Sequence, residues 1–263
     1  MNAPALAWLN GSFQPLSDTH IPVTDRGFLL ADGIFDTMAA AGGHLIHPQE
    51  HLKRLYENAS VMALEIPYAP EILLQAAVRL VDENGLQSGH VSIRTTVTRG
   101  TAPRGLKPPA PSGTIPTVLM TATAFDPGHF EKPARLILSR DVRRNEGSKL
   151  SRIKSLNYGD NILAVMEAQR AGVDDALMMN NKGHIACGTN CNVFIVKDGK
   201  WITPPLSDGV LSGITRSKIL QEKEALEASF DEKALKSADQ VFITNSIIGL
   251  RPVVQIDKTR YSL

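Results

Sequence analysis

The chain has 263 residues, 43% of them hydrophobic and 21% charged, with a net charge of +1. This is the composition of a soluble globular protein, with enough length for one large domain or two ordinary ones. It leaves no charge excess to attract nucleic acid or an anionic membrane, and no apolar run approaches the ~18 residues of a membrane span. The start, Met1-Asn2-Ala3-Pro4-Ala5-Leu6-Ala7-Trp8, lacks the basic and apolar regions of a signal peptide, so a cytoplasmic location is expected by default.

Short alternating stretches at 8–11 and 21–25 predict strands. Between Thr24 and Met38, Gly27 and Gly33 bracket apolar residues, a pattern that suits a sharp turn or backbone passing close to a ligand. Ala41-Gly42-Gly43-His44 predicts a hairpin turn. A helix then starts at Pro48 with Leu52, Leu55 and Ala59 as its buried stripe, and Arg54 lies beside that stripe. A second helix is expected from Pro70 to about Asn84, with Ile72, Leu73, Ala76, Ala77, Leu80 and Val81 facing inward. His90–Thr98 is rich in β-branched residues and predicts a strand. The loop after it carries Arg99 and Arg104 among glycines and prolines that preset its path, and guanidinium forks suit planar carboxylates.

A further strand is expected from Thr117 to Ala124, and residues 125–130 predict a linker between domains at 1–124 and 131–263. The second half predicts strands at Arg135–Ser139, Ala176–Met179, Val193–Val196 and Val241–Ser246. It also predicts a helix to about Ala171 and another from Leu211 through Ala228. Before the first of these helices the chain delivers Lys154 to a junction, followed by Ile162, Leu163, Val165 and Met166 at helical spacing. A lysine desolvated there would lose proton affinity and become a nucleophile toward a carbonyl.

Ser212-Gly213-Ile214-Thr215 opens the later helix, where unpaired backbone N–H groups and the dipole favour an anion, although an ordinary N-cap has the same pattern. Thr244-Asn245-Ser246 either adds hydroxyl donors at a strand end or simply terminates the strand. Neither a GxxxxGK[ST] nor a GxGxxG loop is present, so a nucleotide is not the obvious owner of a phosphate. The only cysteines, Cys187 and Cys191, make no disulfide framework. With His184 the only other candidate ligand nearby, they also fall short of a tetrahedral metal set, so no metal is expected.

In order and spacing, six motifs resemble the fold-type-IV pyridoxal-phosphate (PLP) enzymes, the class IV aminotransferases. They are Asp25-Arg26-Gly27 with Asp32-Gly33, His51-Leu52-Lys53-Arg54-Leu55, Ile153-Lys154-Ser155-Leu156-Asn157, Asn192-Val193-Phe194, Ser212-Gly213-Ile214-Thr215-Arg216, and Asn245-Ser246 with Pro252-Val253. The resemblance runs from about Trp8 to Asp257. It implies an α/β (α+β) fold of two domains with the cofactor between them, in a homodimer that completes each site and acts on a small amino-acid-like substrate. By the same resemblance Lys154 holds PLP as a Schiff base and moves the Cα proton. Arg54, Ile214, Thr215, Asn245 and Ser246 hold the phosphate end, and Tyr158 reaches the phenolic oxygen.

One position departs from the family pattern. Cys187 occupies the slot where members commonly carry a glutamate that pairs with the pyridine nitrogen, and a thiol is a weak hydrogen-bonding partner. Full transamination leans on that partner more than elimination does. The Arg104-Gly105-Leu106 run, with Thr37 two residues after Phe35, and Asn245-Ser246-Ile247-Ile248-Gly249, look like the lyase branch. In that reading Thr37 assists Lys154, while Phe35, Arg104 and Leu106 contact substrate. The expectation is therefore 4-amino-4-deoxychorismate lyase, giving 4-aminobenzoate and pyruvate. A D-amino-acid or branched-chain transaminase is the alternative, supported by Thr98-Arg99-Gly100-Thr101-Ala102-Pro103-Arg104, and a degenerate PLP-binding protein is a third possibility.

Overall fold

The computed structural model describes residues 5–110 and 113–263. The chain forms two compact units. The first runs to Asp126 and takes in Lys154–Leu156, and the second holds Pro127–Ile153 and Asn157–Leu263. The segment carrying Lys154 therefore packs with residues that precede it by more than a hundred positions. Among the described residues no helix is long and apolar enough to cross a membrane.

The first unit contains β1 (Leu6–Leu9), β2 (Ser12–Pro15), α1 (Arg26–Leu30), β3 (Gly33–Ala41), β4 (His44–Leu45), α2 (Pro48–Val61), α3 (Pro70–Glu83), β5 (His90–Thr98) and β6 (Thr117–Phe125). Its antiparallel sheet has the order β2-β1-β6-β5-β3-β4. Successive side chains on a strand alternate between faces. Ile34, Met38 and Ala40 of β3, with Val91, Ile93 and Val97 of β5, are buried on one face, with Leu52, Leu55 and Ala59 of α2 also in the core. Asp36 falls on that same face, so a carboxylate enters a helix–sheet interface that is otherwise largely apolar. Phe35 and Thr37 stand on the other face.

Residues 21–25 are not a strand. Asp25 instead caps α1 and is fully buried, accepting hydrogen bonds from the Gly27 N–H (2.7 Å) and from the Thr98 and Thr117 hydroxyls (2.8 and 2.6 Å). The inner face of α3 forms as expected except for Ile72, which is exposed. Lys154–Leu156 adds to the end of β3: Phe35 N donates to the Lys154 carbonyl (2.9 Å) and Leu156 N to the Gly33 carbonyl (3.0 Å), with a bridge between Ile34 and Ser155.

The second unit contains β7 (Ala134–Arg144), α4 (Gly159–Arg170), β8 (Asp175–Asn180), β9 (Ile185–Cys187), β10 (Asn192–Lys197), β11 (Lys200–Thr203), α5 (Ile214–Glu222), β12 (Leu226–Glu227), α6 (Glu232–Lys236), β13 (Gln240–Asn245), β14 (Gly249–Ile256) and β15 (Thr259–Arg260). The sheet order is β12-β11-β10-β13-β14-β7-β8-β9, with β15 on β14 and with β7 parallel to both β8 and β14. Its core is built from Leu136, Leu138, Leu177, Val193, Ile195, Val241, Ile243 and Val253, with Phe230 and Leu235 beside them.

Two sequence expectations fail here. In α4 the buried positions are Asn161, Ala164 and Ala168, while Ile162 and Leu163 are 59% and 53% exposed. The two alanines pack in one cluster with Val142, Ala176 and Met178, and side chains this small let the helix sit close to the sheet. The helix expected to reach Ala228 stops at Glu222, because Glu224 turns left-handed at φ +48° and Leu226–Glu227 leaves to pair with β11.

Candidate active site

Lys154 stands out chemically in the first unit. Its Nζ lies 4.5 Å from the centroid of the Phe35 ring, and the Arg94 guanidinium lies 3.6 Å from the same centroid. Burial, then the neighbouring Arg54 and Arg94 cations, draw the lysine down to about 8 against an opposing pull from Asp36. An amine with that pKa carries a usable neutral fraction near neutrality, whereas an ordinary lysine does not.

Asp36 sits at the centre of the charges on the helix side. Its carboxylate accepts two bonds from Arg54, Nε at 2.8 Å and Nη2 at 3.0 Å, and its Oδ1 also lies 2.6 Å from His51 Nδ1. Burial alone would raise this carboxyl, but Arg54 and His51 outweigh it and hold Asp36 well below the usual carboxylate range. His51 and Arg54 are three residues apart on α2, so one helical face presents both to the carboxylate. The sequence reading singled out Arg54 but missed Asp36, His51 and Arg94. The visible signal was the charged Asp36 at an inward position of an apolar strand.

In the second unit, α5 begins at Ile214 on Gly213, which offers no side-chain cap, so the first N–H groups of the helix are left for another acceptor. Thr215 is half-buried in that first turn. A Cβ on Gly213 would lie 2.1 Å from Asn192 Oδ1, so only glycine lets the turn approach this closely. Asn245 is committed to local structure: its Oδ1 accepts from the Ile247 and Ile248 N–H groups (2.8 and 2.9 Å), and its Nδ2 reaches the Asn190 carbonyl (3.2 Å). That turn holds Ser246 half-buried. Tyr158 is the residue preceding α4.

Cys187 ends β9 and is buried, as is Cys191. Near them is a buried carboxylate, Asp175, which accepts from the Thr189 hydroxyl (2.6 Å) and the Cys191 thiol (3.5 Å). Burial raises all three groups, and Asp175 raises both thiols further, so Cys187 and Cys191 stay protonated and are poor nucleophiles. Nothing in the sequence marked Asp175.

Arg104 and Leu106 are exposed on the loop after β5, where the Gly105 and Leu106 carbonyls accept bonds from Arg26 (2.8 and 3.1 Å). Arg99, which the sequence offered as a second carboxylate fork, is occupied: it binds Asp32 through two nitrogens (2.8 and 3.1 Å) and the Ala63 and Met62 carbonyls. Arg26 binds the same Asp32 at 2.7 Å. Arg99 therefore anchors the loop. Thr37 faces Arg94 across the β3–β5 pair.

The profile of the family described as amino-transferase class IV matches residues 33–256. A Methanocaldococcus jannaschii protein named as a candidate branched-chain-amino-acid aminotransferase is 35% identical, over 95% of this chain and 87% of its own. The D-alanine aminotransferase of Staphylococcus epidermidis is 31% identical, over 95% of this chain and 88% of its own. A solved structure from Legionella pneumophila, described as a candidate 4-amino-4-deoxychorismate lyase, is 27% identical. It superposes with a TM-score of 0.86 over 94% of this chain and 91% of its own. The chain belongs to the class IV aminotransferases, a family of PLP-dependent enzymes.

Proposed function

We propose that the chain is a PLP-dependent aminotransferase that moves the amino group of a small amino acid to a 2-oxo acid. The observation that carries this is Lys154, a desolvated amine drawn down to about 8 beside an arginine cluster. Each unit by itself carries donors that suit the cofactor: the first an amine for an aldehyde and a guanidinium for a phosphate, the second an uncapped, glycine-cradled helix start whose N–H groups favour an anion. When bound, PLP supplies a carbonyl that condenses with amines and a ring that accepts the electron pair released at Cα.

In this reading Lys154 binds the cofactor through its amine and afterwards carries the proton from and back to the substrate Cα. Arg54, the Ile214–Thr215 N–H groups, the Thr215 hydroxyl and Ser246 hold the phosphate, while Asn245 fixes the turn that carries Ser246. Tyr158 orients the ring. Arg94, an exposed guanidinium stacked on Phe35 beside Lys154, binds a substrate carboxylate. Arg104 and Leu106, exposed on their loop, serve the site of a second copy in a homodimer.

The lyase reading is kept as a second function on the strength of Cys187. A buried, protonated thiol does not retain a proton on the ring nitrogen as a carboxylate does, and elimination of pyruvate from 4-amino-4-deoxychorismate asks less of the ring. In this reading Thr37, opposite Arg94 on β5, assists Lys154.

The purified protein supplied with PLP is incubated with L-leucine plus 2-oxoglutarate, with D-alanine plus 2-oxoglutarate, and with 4-amino-4-deoxychorismate, and glutamate and 4-aminobenzoate are assayed. Glutamate formation supports the first reading and 4-aminobenzoate without glutamate the second. A protein that takes up no PLP overturns both.

A further inference from the structure

The first unit contains an ion cluster whose Asp36, His51 and Arg54 side chains are buried. Arg54 is fixed by two bonds to Asp36, Asp36 is fixed by His51, and Phe35, the residue next to Asp36, carries Lys154 on its ring. Phe35 N is also hydrogen-bonded to the Lys154 carbonyl, so Asp36 and the base of Lys154 are held at fixed register by adjacent backbone. The charged groups around the amine are Arg54 from α2, Arg94 from β5 and Asp36 from β3, with His51 behind Asp36. Two cations and one anion therefore act on a single desolvated lysine.

We propose that Asp36 is the positioning residue of this site: its carboxylate locks the Arg54 guanidinium and sets one negative charge against the cations gathered around Lys154. This rests on the reading of Lys154 as the reactive amine. The geometry assigns the role because the carboxylate is 3% exposed and spends its acceptors on α2 side chains, so it is closed off from solvent. It acts through Arg54 and through its field. With Asp36 neutral, Lys154 would face Arg54 and Arg94 with no compensating charge, and the like charges would push its proton off at lower pH. Arg54 would also lose the fork that sets its direction.

The test uses the chain without cofactor or substrate, so a failure of the PLP reading leaves it intact. Lysines are reductively methylated with 13C-formaldehyde, and the Lys154 resonance, assigned by its loss in Lys154→Arg, is titrated by NMR. The expected midpoint in the parent is about 8. In Asp36→Asn it falls by about one pH unit or more. A carboxylate that only props the fold gives the opposite sign, because loosening the site admits water and moves the midpoint up toward ~10.4. A midpoint unchanged or raised in Asp36→Asn overturns the proposal.

Should Asp36→Asn fail to fold, the Asp36→Asn/Arg54→Met pair leaves no unpaired charge between β3 and α2. Its two removals act on Lys154 in opposite directions, so a midpoint within about one unit of the parent supports the role. A midpoint at the ordinary lysine value overturns it.

Discussion

The Nζ of Lys154 and the ring of Phe35 are 4.5 Å apart, and the same ring carries Arg94 at 3.6 Å. One aromatic thus presents its electron-rich surface to two cations. In Phe35→Leu the apolar volume is largely kept but the attraction is lost. Binding of an acidic substrate through Arg94 is expected to weaken about 5- to 30-fold, for an interaction of roughly 1–2 kcal/mol. A rise in KM for 2-oxoglutarate with kcat nearly constant is the signature.

Lys154 also makes stability depend on pH. Its proton affinity is about 8 in the folded chain against an ordinary 10.5, so between those values the unfolded chain binds the proton more tightly and stability rises with pH. In cofactor-free protein the penalty is fully present below pH 8 and gone above about 10.5. Lys154→Met should therefore gain on the parent by on the order of 3 kcal/mol at pH 7, and the gain should shrink through that window. Urea unfolding at pH 7, 9 and 10.5 measures it. A difference that does not vary with pH contradicts a partly buried, perturbed lysine.

Arg54→Met leaves Asp36 buried without its guanidinium. Such one-sided removals cost about 3–5 kcal/mol, which is a large part of the stability of a domain. Thermal unfolding should show the loss even without cofactor, and equilibrium dialysis should show PLP retained much less tightly. An unaltered melting temperature would mean that the Asp36–Arg54 pair contributes nothing to stability.

Gly213→Ala places a methyl 2.1 Å from Asn192 Oδ1, a side chain that is buried and bonded through Nδ2 to the Leu211 carbonyl at 3.0 Å. Asn192 has little room to retreat, so the cost is about 1–3 kcal/mol. Because the displaced turn carries the first N–H groups of α5, affinity for PLP should fall well beyond what the stability loss alone produces. Isothermal titration with PLP separates the two effects.

Cys187→Glu introduces a carboxylate beside the thiol and carboxylate already buried there, Cys191 and Asp175. If the thiol is what tilts the chemistry away from transamination, this variant should raise glutamate formation from L-leucine and 2-oxoglutarate about tenfold, while Cys187→Ala leaves it near the parental rate. Equal rates in all three proteins would show that the position does not govern the reaction.

If Arg104 serves a second copy, Lys154→Ala and Arg104→Ala are each inactive alone yet complement one another. Mixing equal amounts after unfolding and refolding yields about a quarter of the parental sites intact, by the statistics of a two-fold dimer. No recovered activity places Arg104 on its own chain's site or on none.

Much of this was legible from local pattern. Helices α2 and α3 follow their 3.6-residue stripes, β5 follows its β-branched run, and the turn at Gly42-Gly43 closes the β3–β4 hairpin. Strands β9, β11 and β14 were missed, because pairing partners rather than intrinsic preference make them strands. In α4 the large apolar residues misled, since packing depth favoured Ala164 and Ala168. Lys154 was legible as a lysine at a junction, but the groups that tune it come from β3, α2 and β5, and proximity at that sequence distance leaves no periodic trace. Asp36 reads in sequence as an odd polar residue in a strand, and Asp175 as the start of one. Only pairing in space gives either a role.

The three residues Lys154–Leu156 have a consequence for synthesis and folding. Hairpin β4 pairs only with Ala40 and Ala41, so the Gly33–Phe35 end of β3 is covered on that side by a segment made more than a hundred residues later. Until that segment arrives, a nascent chain presents an open strand edge beside exposed Phe28 and Leu29, the kind of edge on which chains join to one another. Closing it requires a long loop, which slows the step. The reactive amine is thus delivered by the same contact that seals the sheet, so a chain that fails to bury this edge also lacks its nucleophile.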